Sequence, residues 1–114
     1  MSVKLSSRQV GDVMVVDVAG RITLGEGSST LRDALRDMVG KNQKKILLNL
    51  ADVSYIDSSG IGELVSGFTT VTNNGGQLKL LNLTKRVKDL LQITKLYTVF
   101  DVHDDEAAAV RSFA

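Results

Sequence analysis

The chain contains no cysteine and no proline, and its only histidine is His103. Without cysteine, neither a disulfide framework nor a thiolate metal site is possible, and one histidine does not make a histidine-based metal cluster. A structural or catalytic zinc is therefore excluded, and we expect the protein to use no metal or other cofactor. No proline-rich, repetitive or low-complexity tract marks an internal linker.

Neither sign of charge dominates, because 14 basic residues stand against 13 acidic ones and no extended basic tract is present. Nucleic acid is therefore a poor candidate for a partner, since such binding needs clustered positive charge. The amino terminus lacks the pattern of a signal peptide, and no apolar run approaches the roughly 18 residues of a membrane-spanning helix. We expect a soluble, cytoplasmic protein that does not bind a membrane.

The length of 114 residues and the hydrophobic content of 43% fit one compact domain, which we expect to comprise residues 1–114. Strand patterns occur within 3–10, at 13–18, 45–50 and 78–81, and as a short edge strand at 98–100. Helix patterns begin after Ser28, Ser29 or Thr30, near Ser58, at Thr84, and after Asp104 or Asp105. A hairpin followed by alternating helices and strands predicts an α/β fold with a mostly parallel sheet, about five strands and four helices.

Three local features complete the predicted fold. Residues 20–27 are punctuated by glycines and are predicted to form a loop, and Gly40 stands where a left-handed residue would end the first helix. The basic side of the third helix, formed by Lys85, Arg86 and Lys88, is interpreted as a solvated face. His103 is predicted to lie on the surface in the loop before the last helix.

The polar stretch Asp57-Ser58-Ser59 lies where a strand pattern gives way to a helix pattern. Residues 45–50 are almost continuously apolar, as in a strand covered on both faces. The apolar positions that follow at helical spacing are Ile61, Leu64, Val65, Phe68 and Val71. Since the glycines after Asn74 favour termination, this helix is predicted to begin within 57–61 and to end near Asn73 or Asn74.

Only one of these three polar side chains is needed to cap the helix, a role that contributes about 1 kcal/mol. Capping alone is the simplest interpretation of the stretch. At least one serine hydroxyl should then be free and exposed. A phosphoryl group on it would meet backbone N–H donors and the positive end of the helix dipole, although it would lie beside the carboxylate of Asp57. The stretch is therefore suited to accept a phosphate.

The run from Ile46 to Gly62, ILLNLADVSYIDSSGIG, resembles the signature region of STAS domains and, among them, of the bacterial anti-sigma factor antagonists. The order of elements and the length are similar to those of a stand-alone member. The resemblance implies that Ser58 is phosphorylated by a partner that is both a serine kinase and an anti-sigma factor. It also implies that the unphosphorylated protein binds this partner and frees a sigma factor, and that a separate phosphatase reverses the phosphorylation. Asn49 departs from the family pattern, since many relatives carry an aspartate there.

The expected partner surface follows from this resemblance and from the predicted topology. Its residues are Asp57, Ser58, Ser59, Gly60, Ile61, Gly62, Arg21 and Thr23. Arg21, Thr23 and Glu26 would flank the serine site if the second strand is adjacent to the central one, and otherwise they are ordinary exposed loop residues.

Three other functions are alternatives to the phosphorylation switch. A serine hydrolase needs a base, but His103 is far along the chain and no Gly-x-Ser-x-Gly pattern is present, so we expect no enzyme activity. Nucleotide binding is also not expected. The segments Gly25-Glu26-Gly27 and Gly60-Ile61-Gly62 lack the lysine and the spacing of a phosphate-binding loop. The remaining alternative is a STAS scaffold or accessory subunit of a signalling assembly or a transporter, which would use the same fold without the phosphate switch.

Overall fold

The structure, a computed structural model, describes residues 3–113, which form a five-stranded sheet, four α-helices and a short 3-10 helix. The elements are β1 (Val3–Val10), β2 (Val13–Ile22), α1 (Glu26–Gly40), β3 (Lys45–Ile56), α2 (Ser58–Asn73), β4 (Gln77–Leu81), α3 (Lys85–Ile93), the 3-10 helix (Tyr97–Val99), β5 (Val102–His103) and α4 (Glu106–Ser112). The strands are ordered β1-β2-β3-β4-β5, with β1 antiparallel to β2 and each later pair parallel. The predicted α/β fold with an opening hairpin is confirmed. None of the helices in residues 3–113 has the length and apolar character needed to cross a membrane.

The first half of β3 is the centre of the core because it is covered on both faces. The side chains of Ile46, Leu47, Leu48 and Leu50 are all 0% exposed. One buried cluster joins β3 to α1, α2 and α3, and a second joins Leu47 to α4. The predicted buried strand at 45–50 is confirmed as part of a longer one. β3 continues to Ile56 because β2 still pairs with it there, after the pairing with β4 has ended.

The two long helices differ in how well their ends could be predicted. α2 spans Ser58–Asn73, as predicted, and Gly75 after it has a φ of 81°. The prediction that Gly40 ends α1 in a left-handed conformation is wrong. Gly40 is the last helical residue, and Asn42 takes the left-handed conformation with a φ of 64°, which the short polar side chain of asparagine tolerates.

The predicted loop at 20–27 is shorter than expected and covers only residues 23–25, because β2 extends through Ile22 and α1 begins at Glu26. Ser28, Ser29 and Thr30 therefore lie inside the helix and do not cap it. The N-cap is Gly25, which makes no side-chain hydrogen bond and has a φ of 96°. The strand continues because Ile22 pairs with Ile56 of β3.

The sheet edge near the end of the chain differs from the prediction as well. Residues 97–99 form a 3-10 helix, and the edge strand is Val102–His103, so His103 lies in a strand and not in a loop. Phe100 explains the shift, because its ring is 6% exposed and packs edge-on against Phe68, with ring centroids 5.5 Å apart. Asp105 caps α4 by accepting a hydrogen bond from the backbone N–H of Ala108.

Arg8 of β1 connects its own strand to β2 and to α4. Its Nε lies 2.8 Å from Oδ2 of Asp17 on β2, and its Nη1 donates to Oε2 of Glu106 on α4 at 2.9 Å. Hydrogen bonding to Arg8 holds the pKa of both carboxyl groups below the usual range. A carboxyl group with a lowered pKa in the folded protein stabilises it above the unfolded pKa, and this contribution is lost as the pH falls through the folded pKa.

We therefore expect the free energy of unfolding to decrease as the pH falls below about 4, the ordinary carboxyl range. Arg8→Gln should lower the stability at pH 7 by less than about 1 kcal/mol, since these groups are partly exposed, and should make the acid-dependent decrease smaller. Urea denaturation between pH 7 and pH 2.5 measures both effects. Arg36→Gln, which replaces an exposed arginine on α1, is the control and should behave like the parent. An identical acid dependence in the parent and Arg8→Gln would contradict this account of the cluster.

Candidate functional site

β2 and β3 end side by side, and both continue into helices at the same edge of the sheet. Ile22 pairs with Ile56, and the backbone N–H of Asp57 donates to the carbonyl oxygen of Ile22 at 3.3 Å. The loop between β2 and α1 is therefore next to the start of α2. The condition for Arg21 and Thr23 to flank the serine stretch, which was the adjacency of the two strands, is met.

Two glycines allow both helices to begin against the end of β2. A Cβ atom on Gly27 of α1 would lie 2.6 Å from the carbonyl oxygen of Arg21. A Cβ atom on Gly60 of α2 would overlap the carbonyl oxygen of Ile22. Since neither carbonyl can move without breaking the end of the strand, a side chain at either position would displace the helix. The position of Ser58 relative to β2 thus depends on backbone contacts.

Of the three polar side chains at the start of α2, Asp57 is the one that caps the helix. Its Oδ1 accepts a hydrogen bond from the N–H of Gly60 at 2.9 Å, and its Oδ2 accepts one from the N–H of Leu24 at 3.1 Å. Desolvation is the largest single influence on the pKa of Asp57 and raises it, but the backbone N–H donors, led by Gly60 and Leu24, together lower it below the usual range. The carboxylate is therefore ionised at neutral pH. It connects the first turn of α2 to the loop between β2 and α1.

Ser59 is held by Ser28, for which the sequence suggested only a role as a possible cap of the first helix. The hydroxyl of Ser28 donates to the carbonyl oxygen of Thr23 at 2.9 Å, and its Oγ lies 3.1 Å from Oγ of Ser59. A hydroxyl has one proton to donate. Because Ser28 gives its proton to Thr23, Ser59 is the donor to Ser28, and its own proton is engaged.

Ser58 differs from both of its neighbours. It is the first residue of α2, its side chain is exposed, and no side-chain hydrogen bond to it is found within residues 3–113. It stands at the positive end of the helix dipole, beside the ionised carboxylate of Asp57. Of the three polar side chains in the stretch, Ser58 is thus the one whose hydroxyl is free to react.

A group of aromatic and basic side chains lies on the same edge of the sheet. Arg21 on β2 is paired in register with Tyr55 on β3, and its Cζ lies 4.6 Å from the centroid of the Tyr55 ring. Cζ of Arg86, in the first turn of α3, lies 4.1 Å from the same centroid. The basic side of α3 is exposed, as predicted, and Arg86 in addition contacts the ring of Tyr55.

Comparison with known protein families matches residues 4–109 to the STAS domain. The chain belongs to the STAS domain family. The anti-sigma-B factor antagonist of Bacillus subtilis is 33% identical over 102 residues, which cover 90% of this chain and 92% of that protein. Among relatives of known structure, an anti-sigma factor antagonist from Mycobacterium paratuberculosis superposes with a TM-score of 0.86 at 17% identity, covering 97% of this chain and 93% of its own. The Bacillus cell fate determinant SpoIIAA in its phosphorylated form superposes with a TM-score of 0.74 at 18% identity, covering 95% and 97%.

The STAS domain brings the predicted site residues to one edge of the sheet, but at different depths. Asp57, Ser58, Ser59 and Gly62 lie at or near the surface, as do Arg21 and Thr23, whereas Gly60 and Ile61 are buried. The buried pair supports the loop by packing. His103 lies on β5, at the far edge of the sheet, with its Nε2 3.2 Å from Asp101. It is not placed to act as a base for Ser58.

Four residues of this region were not assigned to the site from sequence, namely Leu24, Ser28, Tyr55 and Arg86. Leu24 is 80% exposed, although its N–H is bonded to Asp57. The sequence signal that could have placed Leu24 and Ser28 near the serine stretch is the adjacency of the second strand to the central one. Tyr55 is part of the signature run, but the sequence spacing of these residues does not show that Arg21 and Arg86 contact its ring.

The two glycines at the start of α2 provide a test of how the site is supported. Gly60→Ala should destabilise the domain by about 1–3 kcal/mol, because the added methyl group overlaps the end of β2. Gly62→Ala is the matched control, since a Cβ atom there meets nothing within 4 Å, and the better helix former should leave the stability equal or raise it by up to about 1 kcal/mol. Urea denaturation compares the two variants. Equal effects would mean that the contact of Gly60 with β2 does not hold the helix in place.

Proposed function

We propose that this STAS domain is an anti-sigma factor antagonist whose binding to its partner is switched by phosphorylation of Ser58. The observation that carries the proposal is the state of the three polar side chains at the start of α2. Asp57 is engaged by two backbone N–H groups, Ser59 is engaged by Ser28, and Ser58 is exposed and unengaged. The names of the relatives, one an anti-sigma-B factor antagonist and one a phosphorylated Bacillus protein, support the same function.

The partner in this proposal is an anti-sigma factor that is also a serine kinase. The unphosphorylated domain binds it through the surface formed by Arg21, Thr23 and residues 57–62, and a sigma factor is freed. Phosphorylation of Ser58 releases the partner, and a phosphatase acting on phosphorylated Ser58 restores binding. All of these events take place in the cytoplasm, and the domain itself is a binding module and not an enzyme.

The phosphate acts at the partner surface and leaves the fold unchanged. A phosphoserine carries a charge of about −1.5 to −2, and a helix amino terminus stabilises a negative charge by roughly 0.3–1 kcal/mol at exposed sites. The domain therefore tolerates the group. A partner that covers Ser58 must instead desolvate it next to the carboxylate of Asp57, and a loss of about 2.8 kcal/mol would weaken binding by about a hundredfold.

The test is phosphorylation and binding by the anti-sigma factor kinases encoded in the same genome. With ATP, the cognate kinase should place one phosphate on the parent and on Ser59→Ala, and none on Ser58→Ala. In calorimetric titration, Ser58→Ala should bind like the unphosphorylated parent, and Ser58→Asp should bind about a hundredfold more weakly. Thermal scans should show similar melting temperatures for these variants.

Three results would contradict the proposal. The first is a phosphate located by mass spectrometry on Ser59 or elsewhere. The second is a Ser58→Asp variant that binds as tightly as the parent, or that loses binding only because it has unfolded. The third is the absence of phosphorylation by every encoded kinase of this class, which would favour a scaffold or accessory role for the domain.

A further inference from the structure

The ring of Tyr55 is in contact with two guanidinium groups. The Cζ atoms of Arg21 and Arg86 lie 4.6 and 4.1 Å from the ring centroid, so both are within cation–π distance. The three side chains come from β2, β3 and the first turn of α3, and are brought together only by the fold. We call this set of three residues the arginine–tyrosine group.

Both charges of the arginine–tyrosine group lack a counter-charge among the described residues 3–113. Within residues 3–113, neither Arg21 nor Arg86 has a carboxylate oxygen within 4.0 Å, whereas Arg8, Arg32 and Lys85 all do. Lys85 is the neighbour of Arg86 and pairs with Asp89 at 2.6 Å. Asp57 follows Tyr55 by two residues, but its carboxylate is taken up by backbone N–H groups.

Two unpaired guanidinium groups in this arrangement favour an anion from outside the chain. Their positions around one ring place them at most roughly 9 Å apart, about one Debye length in physiological salt, so each charge is felt by the other. Both side chains are exposed, and their N–H donors remain available to solvent. A carboxylate beside either guanidinium group would reduce the repulsion and accept paired N–H bonds, for which the planar guanidinium group is well shaped.

We propose that the arginine–tyrosine group is the docking site for an acidic segment of the protein partner. The inference rests on the proposed function, since it assigns to this edge of the sheet the chemistry that the partner must supply. An acidic protein segment fits better than nucleic acid, because the chain has a net charge of only +1 and no extended basic tract. Tyr55 is the positioning residue that holds the two arginines.

The position of the group connects docking with the phosphorylation switch. Arg21 directly precedes Ile22, whose carbonyl oxygen accepts the N–H of Asp57, and Ser58 is the next residue. A phosphate on Ser58 therefore joins the edge of the sheet where the acidic segment docks. It repels the carboxylates of the partner and competes with them for the guanidinium groups. Phosphorylation thereby weakens the docking contact as well as obstructing the surface.

The first experiment uses a hexaglutamate peptide and the intact unphosphorylated protein, and follows the arginine Nε–Hε signals by NMR. The peptide should give saturable shifts of the Arg21 and Arg86 signals. Arg21→Gln and Arg86→Gln should each weaken binding by about tenfold, and Tyr55→Leu should weaken it while both arginines are present. Arg36→Gln removes an exposed arginine of α1 that is not one of the two cations at the Tyr55 ring, and this variant should bind like the parent. Thermal scans establish that each variant is folded.

Several outcomes of this experiment would overturn the inference. These are the absence of saturable binding by the parent, an equal effect of Arg36→Gln, or no effect of Tyr55→Leu. Binding of inorganic phosphate or a short single-stranded oligonucleotide in place of the peptide would equally overturn it, since the group would then recognise phosphate and not carboxylate.

A second measurement separates this inference from the proposed function. In titrations with the anti-sigma partner, Arg21→Gln and Arg86→Gln should slow association and reduce its dependence on salt concentration, as expected when charges at an interface are removed. If Ser58→Asp abolishes binding but the arginine variants bind like the parent, the docking inference fails and the proposed function stands. If the peptide binds as predicted but no anti-sigma factor does, the proposed function fails and the acidic docking site remains.

Discussion

The carboxylate of Asp57 is the constraint on which the functional edge of this domain depends. It accepts one backbone N–H from α2 and one from the loop that precedes α1, while the N–H of the same residue bonds to the end of β2. One residue thus fixes the start of a helix relative to a strand and a loop from another part of the chain. Gly27 and Gly60 permit this arrangement, because any side chain at either position would meet the end of β2. The outcome is an exposed Ser58 whose neighbours Asp57 and Ser59 are both held by hydrogen bonds.

These hydrogen bonds have a consequence for how the site can respond to a phosphate. Ser58 is the first residue of α2, so a phosphate there lies at the positive end of the helix dipole, and no hydrogen bond of the Ser58 side chain within residues 3–113 has to break. Ser59, one residue later, is hydrogen-bonded to Ser28 and half-buried, so modification there would separate α1 from α2. The difference between two adjacent serines therefore comes from the packing of α1 and not from the local sequence.

Sequence reasoning was most successful where one element determines its own structure. The change from a continuous apolar run to helical spacing predicted the first half of β3 and the start of α2, and so placed Asp57 and Ser58 at the beginning of that helix. It was less successful where an element depends on a distant one. β2 continues to Ile22 because β3 pairs with it, and the edge strand begins after Phe100 because that ring reaches Phe68 in the core. The roles of Ser28 and Arg86 were missed for the same reason, since their partners are on other elements.

The central claim is that Asp57 and Gly60 hold Ser58 in a hydrogen-bonded frame on which a phosphate changes charge without changing structure. Backbone NMR of the unmodified and Ser58-phosphorylated protein, combined with amide hydrogen exchange, tests this claim most directly. The account predicts that chemical shifts change only near residues 21–28 and 57–62 and at Arg86, and that the amide of Gly60 remains protected. Loss of protection at Gly60, or shift changes that reach buried residues of β3 such as Leu48, would contradict it.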